Sequence, residues 1–166
     1  GNGRYSDITV FSFHPVKIIT TAEGGMALTN SAELATRLGL LRSHGITRDP
    51  VLMTEPMHGS WYYQQVELGF NYRMTDIQAA IGLVQMGKLD RFIDERDVAA
   101  RRYREELADI EWLRQPVVPN DVRHAWQAYV TYVDPKLAPL PRNEIMAKLH
   151  AMGVATRPGT HAIHML

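Results

Sequence analysis

A lysine, a serine and a run of small residues lie together in Phe11–Gly25, FSFHPVKIITTAEGG. Lys17 follows an apolar stretch that reads as a buried strand, so its amine stands where water is partly excluded. Removing an amine from water favours its neutral form, and a neutral amine adds to a carbonyl to give a Schiff base. Ser12 lies five residues before Lys17, and its hydroxyl could hold a phosphate while the amine bonds an aldehyde of the same ligand. Thr20, Thr21, Gly24 and Gly25 add backbone amides and room for close approach. The glycine pair matches neither a Walker loop nor a dinucleotide fingerprint. Taken alone, Lys17 also fits a lysine that snorkels to water from a strand end, since lysines rarely stay buried.

Other groups carry less chemistry. His161 and His164 are spaced for one helical turn, but Pro158 and Gly159 argue against a helix there, and no acidic or cysteine partner is near, so no metal site is read. Trp61, Tyr62 and Tyr63 could stack on a base or a sugar, or pin a loop to the core or to a dimer partner. Asp76, Asp90, Asp94 and Asp97 look like acid–base material, yet arginines beside them make a solvated, salt-bridged helix face the better reading, with Asp97 and Arg101 as one pair.

The elements that would position these residues follow from pattern. Asp7–Phe13, DITVFSF, reads as a buried strand, and Gly24–Asn30 as a second, short one. Asn30 with Glu33 reads as an N-cap and its partner, and Leu34, Leu38 and Leu41 carry a helix to about His44, with Gly45 as C-cap. Residues 46–69 read as a long loop, a setting that is often functional. Thr75 to Gln78 is a capping box that opens the strongest helical pattern in the chain, about thirty residues and roughly 45 Å long. Gly82 and Gly87 interrupt that pattern and predict close packing or a bend. Beyond Pro116 and Pro119, Ala125–Val133 reads as a strand, Arg142–Gly153 as a short amphipathic helix and VATRP as an extended piece, the opening of an α+β domain.

The sequence has 166 residues, 45% apolar and 22% charged, enough for a globular domain that buries about two-thirds of its unfolded surface. Lys plus Arg equals Asp plus Glu at 18 each, which makes no case for nucleic acid or an anionic membrane as partner. Cysteine is absent, which removes disulfides and thiolate chemistry and suits a cytoplasmic setting. No apolar run is long enough for a membrane span, and no signal-peptide pattern opens the sequence. The start without Met, a few residues before a strand, and the apolar end HAIHML predict a piece of a longer chain.

Three blocks, FSFHPVKIITTAEGGMALTN, RSHGI and LGFNYRMTDIQAAIGLVQMGKLD, stand in an order that resembles the DegT/DnrJ/EryC1/StrS family of pyridoxal-phosphate-dependent sugar aminotransferases. They cover most of residues 7–95, and the likeness continues more loosely through GVATRPGTHAIH. The resemblance implies an α/β, fold-type I (aspartate aminotransferase-like) piece: residues 1–74 as the end of the large cofactor domain, 75–110 as a long connecting helix, and 111–166 as the start of a small α+β domain. It implies that Lys17 bonds pyridoxal 5'-phosphate and moves a proton, that Ser12 binds the cofactor phosphate, and that Asn71 or Arg73 reaches the phosphate in the neighbouring subunit of a homodimer with a shared site. His14, Tyr62 and Tyr63 are the residues placed nearest substrate, and Glu23 is placed as structural. The reaction implied moves an amino group from L-glutamate to a nucleotide-linked 4-keto-6-deoxy sugar for surface polysaccharide or glycan. WYYQQVELGFNYRMTDIQAAIG looks closest to UDP-sugar 4-aminotransferases, with perosamine-type synthases as rivals. A family branch with histidine in place of the lysine dehydrates instead, so Lys17 argues for transamination. The family pattern TTGEGG has Ala22 at its first glycine here, a change expected to be tolerated. The acid that pairs with the pyridine nitrogen and the aromatic that stacks on the ring belong upstream of these blocks, so the alternative is a non-catalytic, truncated oligomerisation domain.

Overall fold

Thr9–Ser12 (β1), with β-branched Thr9 and Val10 and aromatic Phe11, pairs with Gly25–Leu28 (β2) in an antiparallel hairpin, Thr9 opposite Leu28 and Ser12 opposite Gly25. The computed structural model describes residues 4–159 and falls into two units, Gly1–Leu89 and Asp90–Leu166. β1 is shorter than the Asp7–Phe13 strand expected, and it is not buried: Val10 is 75% exposed. Its only ladder among the described residues is with β2. Gly25 is required at the strand start because a Cβ there would meet the Phe11 carbonyl oxygen at 2.9 Å.

Ala32–Arg42 (α1) is capped by Ser31, whose Oγ accepts from the Leu34 amide at 3.3 Å, one residue later than the Asn30 cap expected. The helix stops at Arg42 because His44 and Gly45 both take left-handed backbone, at φ 63° and 67°. The segment read as one long loop contains a short antiparallel hairpin, Ile46–Thr47 (β3) with Gln64–Gln65 (β4). A two-residue ladder is below what alternation can reveal.

Asp76–Met86 (α2) begins at the capping box expected: the Thr75 hydroxyl accepts from the Gln78 amide, and the Gln78 side chain accepts from the Thr75 amide at 3.0 Å. The single helix expected from Thr75 onward is two. α2 is capped at Gly87, and Leu89–Glu106 (α3) starts anew. Glycine's poor helix propensity explains why the break falls there.

In the second unit, Leu113–Arg114 (β5) pairs antiparallel with Tyr132–Val133 (β6), and Arg142–Ala151 (α4) follows. The strand expected over Ala125–Val133 is reduced to β6. Trp126 adopts φ 50°, and its indole leaves the extended path and packs on α3. Its Nε1–H donates to Asp97 Oδ1 at 3.1 Å, and its carbonyl accepts from Arg96 Nη1 at 2.9 Å. Trp126 stacks on Tyr129, which stacks on Tyr103. Asp90 and Asp94 lie on the solvated, salt-bridged face expected, and both accept from Arg123, at 2.6 and 2.8 Å. Asp97 also meets Arg101 at 3.2 Å, as expected.

Apolar burial is sparse. Among the described residues only Phe13, Ala100 and Trp126 form a buried apolar core. The accessible surface is 13383 Å², against about 8,300 Å² for a compact monomer of this mass. That is burial of about half the unfolded surface rather than the two-thirds expected. No described helix is long and apolar enough to cross a membrane.

One carboxylate gives the second unit a pH dependence. Asp134 Oδ1 accepts from the Lys136 amide at 3.0 Å and Oδ2 from Arg114 Nη2 at 2.6 Å. These bonds, the backbone one first, hold the Asp134 carboxyl below the usual aspartate range. A lowered folded-state pKa contributes stability that is present above the unfolded value, near 4, and is lost as pH falls through the folded value. The melting temperature is expected to fall as pH drops below about 4, and Asp134→Asn should flatten that dependence while lowering stability at pH 7. Identical pH profiles for the two proteins would contradict the assignment.

Candidate active site

Lys17 sits in the segment that joins β1 to β2, and backbone bonds close this loop at its base. The Phe13 amide donates to the Gly24 carbonyl at 2.9 Å, and the Phe13 carbonyl accepts from the Thr21 amide and the Thr20 hydroxyl, both at 3.0 Å. The Lys17 amide donates to the His14 carbonyl at 2.9 Å, which makes the turn that presents the lysine. The Lys17 side chain is exposed, so the desolvation expected from a buried strand is not supplied by these residues.

The other residues expected in this loop are placed around it. Ser12 ends β1, and its Oγ accepts a long bond, 3.5 Å, from the His14 amide. That contact uses an oxygen lone pair and leaves the hydroxyl proton to donate. His14 Nδ1 accepts from the Val16 amide at 3.4 Å, which puts the proton of the neutral ring on Nε2, and Nε2 faces Glu23 Oε1 at 3.8 Å.

The third block docks on this loop through two close approaches, Gly82 on Thr21 and Met74 on Gly24. A Cβ on Gly82 of α2 would lie 2.9 Å from Thr21 Cγ2. A Cβ on Gly24 would lie 2.4 Å from Thr21 Oγ1 and 2.9 Å from Met74 Cε. Thr21 is 2% exposed and donates its hydroxyl to the Glu23 carbonyl at 2.8 Å. The third block joins the second. Asn71 bridges Ser43, the His44 amide donates to the Phe70 carbonyl at 2.8 Å, and the Tyr72 amide donates to the Arg42 carbonyl at 2.9 Å. A Cβ on Gly69 would meet the Gly45 nitrogen at 2.2 Å, so RSHG and LGFNY fit only as glycine against backbone.

Asn71 and Arg73 are both exposed, in the extended run before the Thr75 cap. Tyr62 and Tyr63 belong to the β3–β4 hairpin instead. Tyr62 lies edge-on to His58 and Trp61 and bonds Gln64 Nε2 at 3.0 Å, while the Arg48 guanidinium stands 6.0 Å from the centre of the Tyr63 ring. Among the described residues no cluster of three His, Asp or Glu could hold a metal, and His161 and His164 lie outside the described residues. The close packing expected at Gly82 is present, against Thr21, while sequence reasoning missed Thr21 and Met74 as its partners in the joint between the blocks. The glycine inside a helical pattern costs propensity and so asked for a packing reason, but nothing local named the partner.

Ala22 gives a test of the loop's backbone. It takes φ 66°, the left-handed region that disfavours a side chain. Ala22→Gly relieves that strain against a smaller loss of backbone entropy, and a net gain of about 0.5–1 kcal/mol is expected. A thermal-melt comparison checks it; a lower melting temperature for Ala22→Gly would contradict the geometry.

The family model described as the DegT/DnrJ/EryC1/StrS aminotransferase family matches residues 1–166. The chain is 35% identical over 166 residues to GDP-perosamine synthase of Caulobacter vibrioides, spanning 99% of this chain and 42% of that protein. It is 41% identical over 105 residues to a UDP-4-amino-4,6-dideoxy-N-acetyl-beta-L-altrosamine transaminase of Campylobacter jejuni, 63% of this chain and 26% of that one. The crystal structure of the aminotransferase TlmJ from Streptoalloteichus hindustanus superposes with a TM-score of 0.85 at 28% identity, covering 100% of this chain and 42% of TlmJ. The chain therefore spans less than half the length of these relatives. The fold is a piece of the sugar-aminotransferase fold, and the chain belongs to the DegT/DnrJ/EryC1/StrS aminotransferase family.

Proposed function

We propose that the full-length protein is a pyridoxal-phosphate-dependent aminotransferase that moves an amino group from L-glutamate to the keto carbon of a nucleotide-linked 4-keto-6-deoxy sugar, for polysaccharide or glycan synthesis. The observation that carries this reading is Lys17, an exposed amine on a turn closed at its base, with the Ser12 hydroxyl at the end of the adjoining strand. Gly24 and Gly25, where a Cβ would meet Thr21 and Phe11, keep the chain thin beside Ser12 and Phe13, which suits the approach of a flat, phosphorylated aldehyde. The donor set fits that group: an amine for the aldehyde and a hydroxyl for the phosphate.

When bound, the cofactor supplies an electron sink for the carbanion at the donor's Cα. In this reading Lys17 would hold the cofactor by its aldehyde through Nζ, with loss of water, and, once displaced by the donor's amine, would take and return the proton at that Cα. Ser12 Oγ holds the phosphate. Asn71 or Arg73 reaches the phosphate of the partner subunit's site, where a guanidinium offers the wider fork. His14, with Tyr62 and Tyr63, faces the sugar nucleotide. Residues 1–74 act as the end of the large domain, 75–110 as the connector and 111–166 as the start of the small one. A homodimer and a cytoplasmic setting complete the proposal. The dimer is supported by apolar residues left exposed on α2, Ile77 at 76% and Leu83 at 76%. The ring-stacking aromatic and the acid at the pyridine nitrogen are assigned to the part of the family length that this chain does not span.

The test is the amino-donor half-reaction of the full-length protein. With added cofactor, L-glutamate is expected to yield 2-oxoglutarate in an amount equal to the sites present. Lys17→Ala should slow the step by at least about 10²-fold. Unchanged turnover in that variant would overturn the role of Lys17. Assays with GDP- and UDP-linked keto sugars then assign the acceptor, since the C. vibrioides and C. jejuni relatives carry different nucleotides in their names.

A further inference from the structure

We propose that Thr21 is a positioning residue for Lys17, and that the absence of a side chain at Gly82 lets α2 hold Thr21 in place. The inference rests on Lys17 as the reacting amine and assigns what sets that amine's position. Lys17 makes no side-chain hydrogen bond or ion pair among the described residues, so its place is set through its backbone. That backbone is fixed at the loop's base, where Thr20 and Thr21 bond the Phe13 carbonyl.

Thr21 connects this base to α2. It is 2% exposed, more buried than any of the three buried apolar residues. Its hydroxyl donates to the Glu23 carbonyl at 2.8 Å, and its amide donates to Phe13 at 3.0 Å. A β-branched side chain has few rotamers, and this one has both branches occupied. Oγ1 lies where a Gly24 Cβ would fall, and Cγ2 lies against Gly82. Met74 Cε closes on Gly24 from the residue that follows Arg73. The same packing thus touches the lysine loop and the start of the helix that follows Asn71 and Arg73.

Gly82 is a helix-interior glycine with a neighbour at contact, whereas Gly39 of α1 has nothing within 4 Å. Propensity alone favours alanine at both positions. At Gly82 the added Cβ must displace the Thr21 methyl, and Thr21→Ser removes that methyl while keeping the hydroxyl bonded to Glu23. The two substitutions form a double-mutant cycle on a single contact.

The experiment is amide hydrogen exchange, followed by mass spectrometry, on the full-length protein without cofactor. Gly82→Ala is expected to speed exchange in peptides covering residues 13–24 by about threefold or more, through easier local opening. The double variant Gly82→Ala/Thr21→Ser should return near the wild-type rate, and Gly39→Ala should leave it unchanged. In cofactor-loaded protein, the pH midpoint of the visible absorbance should shift in Gly82→Ala and return in the double variant. Unchanged exchange in Gly82→Ala, or faster exchange that Thr21→Ser does not restore, would overturn the proposal. If Gly82→Ala fails to fold, recovery of folding in the double variant supports it. If neither folds, Thr21→Ser alone decides: faster exchange in residues 13–24 supports the role and an unchanged rate refutes it. Failure of Lys17 to link pyridoxal phosphate in the wild type would remove the proposed function, while the exchange result would still report on the Thr21–Gly82 contact.

Discussion

The backbone of Phe13 is the closure on which the candidate site depends. Its amide and carbonyl together take the Gly24 carbonyl, the Thr21 amide and the Thr20 hydroxyl, and so join the two ends of the Lys17 loop. A loop of this length forms no regular ladder, and its shape otherwise costs entropy with little apolar burial in return. Phe13 is itself one of the few buried apolar residues, which shelters these bonds from competing water. Everything proposed for Lys17 follows from that closure: the turn at His14, the hydroxyl of Ser12 at the strand end and the dock of α2 on Thr21.

Much of this was legible in the residues, and for identifiable reasons. A capping box is a local exchange of two hydrogen bonds, so Thr75 and Gln78 announced the start of α2. Glycine's cost in a helix likewise marked Gly87, where the structure ends α2. Tertiary choices were hidden. Nothing local distinguishes Trp126 as a left-handed residue that packs on α3, so Ala125–Val133 read as a strand from its β-branched and aromatic content. The meeting of Thr21 with Gly82 is equally non-local. Burial was the largest miss: the pattern that made Asp7–Phe13 look enclosed describes a strand with covered faces, and β1 has only β2 beside it among the described residues.

The exposed apolar surface and the family assignment bear on one another. A chain whose described core holds only Phe13, Ala100 and Trp126 leaves more area open than its mass requires. The relatives that match it are more than twice as long. In the proposed function, a shared site would cover Lys17, whose proposed chemistry benefits from a dry pocket.

The central claim is that Lys17 is the amine that holds the cofactor. Its most direct test is borohydride reduction of the full-length protein incubated with pyridoxal phosphate, followed by peptide mass mapping. The account predicts a single pyridoxyl group on the peptide that contains Lys17, with the visible absorbance lost on reduction. A pyridoxyl group on another lysine, with Lys17 unmodified, would contradict it.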